Sequence, residues 1–193
     1  MSKKALGRLE PVDLRTHWPD EARDFTPWLA TTENLDLLSA TIGVDLELEG
    51  AEVPVGPYRA DIVARDVASD TRVVVENQLE VTNHDHLGKA LTYASGLDAP
   101  IIVWIAKKIS DEHRQAIDYL NEKAAPQLRL FGIEMQLWRI GESSAAPLFK
   151  VVAMPNDWVA TVKAQSEGLS ETQVLYLNLW EGFREFSRRM VRV

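Results

Sequence analysis

The chain contains no cysteine, which removes disulfide frameworks, cysteine-ligated zinc, iron–sulfur clusters and a thiol nucleophile from the chemistry open to it. A cytoplasmic address is the expectation that follows. No apolar run approaches the ~18 residues that cross a bilayer. The opening Met1-Ser2-Lys3-Lys4-Ala5 leads into no signal-type apolar stretch, so neither a membrane partner nor export is expected. Positive charge is also short. With 21 Lys and Arg against 29 Asp and Glu, the formal charge is −8, the wrong sign for a protein that coats nucleic acid non-specifically. What is present is ordinary for a globular chain: 193 residues, 46% hydrophobic and 26% charged, enough for one domain with a substantial core.

Within that composition one stretch is out of place. Val73-Val74-Val75-Glu76-Asn77-Gln78-Leu79-Glu80 begins as a β-branched strand and turns acidic. Side chains alternate along a strand, which puts Glu76, Gln78 and Glu80 on one face and Val73, Val75, Asn77 and Leu79 on the other. Upstream, Gly56-Pro57 turns the chain into a second strand, 58–65, that leads through 66–71 into the first. An antiparallel hairpin centred between Ala68 and Ser69 sets Asp61 opposite Glu76. Opposed side chains have Cβ atoms ~5 Å apart, where like charges destabilise unless something compensates. A divalent cation is the natural compensation.

The rest of the chain frames that hairpin. Residues 1–23 lack periodicity and read as an N-terminal arm, irregular or an edge element. From Asp24 to Gly43 the residues Phe25, Trp28, Leu35, Leu38 and Ile42 recur at helical spacing, with Asp24 as cap and Gly43 as terminator. Glu33 sits at the margin of that apolar stripe, either facing a site at the core's edge or solvated. Residues 44–49 alternate as a strand that breaks at Gly50. Thr82 or Asn83 caps a helix running through Leu87, Ala90, Leu91 and Ala94 toward Gly96, with Lys89 and Tyr93 four apart on one face. The unbroken apolar run 100–106 reads as a central strand covered on both faces. A helix opened by Ser110 runs to about 125, and strands 128–140 and 146–154 follow across a turn at 141–144. The expected fold is therefore α/β, a mixed central sheet flanked by helices. Its main domain spans 24–158. Residues 159–193 read as a linker and an amphipathic helix whose apolar side, Val174, Leu175, Leu179, Phe183 and Phe186, asks for a cover, a second copy of the chain or another partner.

The order of helix, strand, hairpin carrying Asp61 and then Glu76-Asn77-Gln78, helix carrying Lys89-Ala90-Leu91-Thr92-Tyr93, and buried strand resembles the catalytic core of the PD-(D/E)XK nuclease superfamily. The match covers residues 24–106 and implies a restriction-endonuclease-like core. It also implies that Asp61 and Glu76 bind Mg²⁺ or Mn²⁺, with Glu33 as the glutamate of the preceding helix. A backbone carbonyl, that of Asn77, completes the protein's share of an octahedral oxygen set. Two positions depart from the family pattern. Gln78 stands where the family has lysine, and Lys89 stands for the glutamine of the Q-x-x-x-Y motif of the RecB-like branch. Glutamine orients water by hydrogen bonding but brings no charge, which leaves Arg59 or Lys89 to supply it. The stretches Glu76-Asn77-Gln78-Leu79-Glu80, His84-Asp85-His86-Leu87-Gly88-Lys89 and Leu91-Thr92-Tyr93-Ala94 also resemble poorly characterised bacterial proteins with a nuclease-like domain. Those often continue into a further domain beginning near Leu169-Ser170-Glu171-Thr172.

The function implied by the resemblance is metal-dependent hydrolysis of phosphodiester bonds in nucleic acid, DNA first, in restriction, repair or bacterial defence. Asp61, Glu76, Gln78 and Lys89 would be its catalytic residues, and Arg59, Lys89, Tyr93, His84 and His86 its contacts to nucleic acid. Such hydrolysis needs a hard cation to activate water and to neutralise transition-state charge. His84 and His86, two apart on a helix, diverge by about 200° and do not easily share an ion. Solvent is the expectation for His113, and the core for Trp28 and Trp104. The alternative is a non-catalytic relative that binds nucleic acid or a partner protein, on the strength of the missing lysine and the charge of −8.

Overall fold

The computed structural model describes residues 6–155. Their frame is one seven-stranded sheet in the order β1-β6-β5-β4-β3-β2, with β7 also paired to β6. The strands are β1 (Leu9–Val12), β2 (Leu46–Val55), β3 (Tyr58–Asp66), β4 (Thr71–Val81), β5 (Ile101–Lys108), β6 (Arg129–Ile140) and β7 (Ala146–Ala153). Neighbours β4, β5 and β6 run parallel, and the remaining pairs are antiparallel. The expected α/β class, a mixed sheet flanked by helices, is what the chain forms.

The parallel strands are joined by crossover helices α4 (His84–Leu97) and α5 (Asp111–Lys123), as parallel pairing requires. Both lie on one face, where Ala90, Tyr93, Ala94 and Ile117 meet Val63, Val74, Ile102, Trp104 and Leu130. The opposite face is covered by α1 (Leu14–His17), a π-helical turn (Glu21–Phe25), α2 (Thr26–Leu29) and α3 (Thr32–Ile42). These bring Leu14, Trp18, Phe25, Leu29, Leu35, Leu38 and Ile42 onto Ile62, Val73, Val75, Ile105 and Phe131. Ile101–Ala106 of β5 is therefore buried throughout, as a strand sandwiched between helix layers must be. No helix among the described residues is long and apolar enough to cross a membrane.

Of three readings on the N-terminal side, one alternative holds and two fail. The segment 1–23, read as irregular or an edge element, supplies the edge strand β1, which pairs with the end of β6 from Leu9↔Ile140 to Val12↔Leu137, and its Trp18 is a core residue. The single helix expected over Asp24–Gly43 is broken into three pieces. Asp20, not Asp24, caps the first, its Oδ1 accepting from the Arg23 N–H at 2.8 Å. Pro27 and the extended backbone of Thr31 (φ −73°, ψ 147°) separate the others. The Thr31 hydroxyl and the Asn34 amide both donate to the Trp28 carbonyl at the break. Gly43 does end α3, at φ +70°. Third, Gly50 does not end β2. The strand continues to Val55 through a bulge at Glu49, between the pairs Leu48↔Ala64 and Gly50↔Val63. The expected linker and amphipathic helix of 159–193 lie outside the described residues.

Phe25 makes an edge-on contact with Trp18 and stacks on Trp28, with centroids at 4.9 and 5.5 Å. This cluster fastens the N-terminal segment to the sheet. Phe25→Ala is expected to lower unfolding free energy by ~3–5 kcal/mol, read as a fall in the urea midpoint.

Candidate functional site

The hairpin β3–β4 has the register that the sequence indicates. Its pairs run from Asp66↔Thr71 to Ile62↔Val75, and the next position along sets Asp61 opposite Glu76. There the ladder gives way to a side-chain bond, with the Asn77 N–H donating to Asp61 Oδ2 at 2.7 Å. Glu76 is only 2% exposed. Its Oε1 lies 2.9 Å from His86 Nδ1, while its Oε2 is buried with no hydrogen-bond partner among the described residues. Burial pushes the Asp61 carboxyl up to about 8, helped by repulsion from Glu76 and then from Glu21 and Glu52, against the lowering effect of the Asn77 N–H. Glu76 is also raised by burial, with His86 and the Lys89 ammonium pulling the other way.

Two of these carboxylates were not legible in the sequence. Glu21, on the π-helical turn, accepts from the Leu79 N–H at 2.5 Å and repels both Asp61 and Glu76. It stands where Glu33 was expected. Glu33 is exposed in the first turn of α3, because the break at Thr31 turns that helix independently of the segment before it. Glu52, on β2, falls opposite Asp61 between the pairs Ala51↔Ile62 and Val53↔Ala60. A π turn leaves no periodic signal, and the expected break at Gly50 had placed Glu52 in a loop.

The remaining candidates divide. Gln78 is buried on the same strand face as Glu76. Its Nε2 donates to the Val81 carbonyl at 2.9 Å, and its Oε1 is left buried without a partner. The Asn77 side chain points to the other face and donates to Thr26 Oγ1 at 3.1 Å, so only the Asn77 backbone reaches Asp61. Lys89 is exposed on α4 with its charge felt at Glu76. Tyr93, one turn on, is buried, its hydroxyl pushed up by burial and by Glu76 and Asp61. Arg59 is exposed and donates to the Glu52 carbonyl at 2.8 Å.

The two histidines part company, as their spacing on one helix demands. His86 turns inward to Glu76, whereas His84 Nδ1 lies 3.0 Å from His113 Nε2. His113 is not in solvent but buried, edge-on to Trp104 and within 3.0 Å of Ser110 Oγ. His84 therefore joins the starts of α4 and α5. Trp104 is core, as expected, under α4 and α5, and Trp28 is partly buried against the core on the opposite face of the sheet.

The donor set suits a hard cation. A buried carboxylate oxygen without a donor, opposite a second carboxylate forced toward its neutral form, is a site that positive charge would relieve. Among the described residues no three Asp, Glu or His side chains converge tightly enough to enclose an ion. Mg²⁺ is commonly held by one or two carboxylates and keeps several waters.

Between the ordinary value of 3.8 and about 8, the folded protein holds a proton on Asp61 that the unfolded chain has released. The folded state then binds more protons, so stability in EDTA falls as pH rises through that window. Asp61→Asn should flatten the slope, leaving a residue of the same sign from Glu76. Urea unfolding across the window measures both.

No protein-family model matches the chain, and no curated protein matches it. A solved structure of a repair endonuclease from Pyrococcus abyssi overlaps 49% of this chain and 43% of its own, at 15% identity and a TM-score of 0.38. The chain thus spans less than half of that structure.

Proposed function

We propose that this chain is a metal-dependent nuclease that hydrolyses phosphodiester bonds of nucleic acid, with DNA as the first substrate to test. The observation that carries the reading is the opposed pair of Asp61, half-buried, and Glu76, 2% exposed, whose Oε2 has no donor among the described residues. A fold gains nothing from such a pair, since like charges opposed across strands destabilise it and an unpaired buried oxygen costs ~1–3 kcal/mol.

Asp61 and Glu76 would hold Mg²⁺ or Mn²⁺, with the Asn77 carbonyl as a backbone ligand and Glu21 beside them in place of Glu33. The ion supplies Lewis acidity at the phosphoryl oxygens and a more acidic bound water. The chain's own groups do the positioning. His86 fixes one oxygen of Glu76 and leaves the other facing the site. Gln78 has its amide nitrogen tied to Val81, so its Oε1 is presented as an acceptor to orient a water. Lys89, from α4, is the cation whose field reaches Glu76 and takes over the charge that Gln78 lacks. Arg59 and Tyr93 line the approach to Asp61, a place for phosphate contacts. His84 is withdrawn from that role by His113.

A second reading, a non-catalytic domain that binds nucleic acid or a protein through this surface, is favoured by the neutral Gln78 and the charge of −8. One comparison separates them. Wild type and Glu76→Gln are incubated with labelled single- and double-stranded DNA and RNA in Mg²⁺, Mn²⁺ or EDTA. The nuclease reading expects cleavage that needs metal and drops by at least ~10²-fold in the variant. Absence of cleavage in every metal, with nucleic acid still bound, would leave the second reading.

A further inference from the structure

Glu52 is the least economical residue of the described chain. It lies inside a β-strand yet has φ +52°, a left-handed backbone that glycine or asparagine adopts at far less strain. Its carboxylate oxygen Oε1 is buried with no hydrogen-bond partner among the described residues. It also sits across from Asp61, carboxylate against carboxylate, between the pairs Ala51↔Ile62 and Val53↔Ala60. The Arg59 guanidinium donates through Nη1 to the Glu52 backbone carbonyl and leaves Oε1 of the carboxylate without a hydrogen bond. Strain, an orphaned oxygen and like-charge repulsion meet at one side chain. Backbone strain of this kind concentrates at functional positions.

The position of Glu52 gives those costs a direction. Registers on the two sides of β3 place Glu52, Asp61 and Glu76 in one row across β2, β3 and β4. At the far end of the row stands Glu76 Oε2, unpartnered on a side chain 2% exposed, an independent sign that the row faces a missing positive group. Resting on the metal-centred reading of Asp61 and Glu76, we infer that Glu52 is a third carboxylate of the cation centre. It engages a divalent ion through a bound water, since among the described residues no three acidic side chains converge closely enough to share direct ligation. Outer carboxylates of this type orient ligands and tune affinity. The positive φ is the conformation that turns the Glu52 side chain onto the row, so glycine, the residue best suited to the backbone, would forfeit the ligand.

The experiment is a calorimetric titration of EDTA-stripped full-length protein with Mn²⁺, comparing wild type, Glu52→Gln, Glu52→Gly and Glu76→Gln. Thermal unfolding of each metal-free form is followed in parallel. The inference expects Glu52→Gln and Glu52→Gly to weaken Mn²⁺ binding by ~10–100-fold, with metal-free melting temperatures equal to or above wild type. The glycine variant should be the more stable of the two. Mn²⁺ binding unchanged in both variants overturns the inference while leaving the metal-centred reading intact. Lost binding accompanied by a lowered metal-free melting temperature in both also overturns it, since Glu52 would then be holding the hairpin. If wild type shows no Mn²⁺ binding that Glu76→Gln abolishes, the metal-centred reading itself falls and takes the inference with it.

Discussion

Carboxylates crowded into one row across three strands repel one another, and the surrounding architecture keeps them there. Asp61 and Glu76 cannot drift apart, because the hairpin register beneath them is set by Ile62↔Val75 and the pairs below it. On the face opposite Glu76, Ile62, Val73 and Val75 are sealed under the N-terminal helices. A one-residue slip would drive this apolar set outward and the acidic set inward. Burial of the valine run is thus what makes the acidic face unavoidable. The repulsion is then moderated locally by the Asn77 N–H at Asp61 and by His86 at Glu76.

Helix α4 carries most of what modifies the row. Its spacing of three and four residues delivers His86, Lys89 and Tyr93 toward β4 while its cap, Asn83, holds the first turn against the His86 N–H. The bond from His84 to His113 links the start of this helix to the start of α5. Burial and the neighbouring His84 keep His113 below the usual histidine range, which favours a neutral His113 in that seam. The orientation of His86 on Glu76 is therefore inherited from a packing arrangement two helices wide.

The sheet was legible in the sequence where patterning is strongest. Apolar continuity at 101–106 marked the central strand, and the turn at 66–71 fixed the meeting of Asp61 with Glu76. Helix starts at Asn83 and Ser110 announced themselves through side chains that can cap. The N-terminal side was not legible, for a physical reason. Phe25, Trp28, Leu35 and Leu38 do keep helical spacing, but Pro27 and the extended Thr31 divide the stretch, so periodicity survives while the helix does not. That break leaves Glu33 in the exposed first turn of α3, while Glu21 lies beside Asp61 and Glu76. Glu52 was hidden by a different effect, since a bulge and a left-handed residue let β2 continue past a glycine that would ordinarily end it. His113 was misplaced because its helix is charged on most sides, and a buried histidine there needs a partner from another helix to satisfy it.

Strand β6 has a property that bears on how the site survives fluctuation. Leu137 and Trp138 are paired to β1 on one side and to β7 on the other, so the first and last described strands are held by the same two residues. The segment that follows β1 carries Glu21 to the carboxylate row. Fraying of β1 would therefore withdraw a charge from the site and bare one edge of β6 in a single event, tying local opening of the domain's margin to the composition of its acidic centre. Amide exchange at Leu137 and Trp138 thus reports on the integrity of a site elsewhere on the sheet.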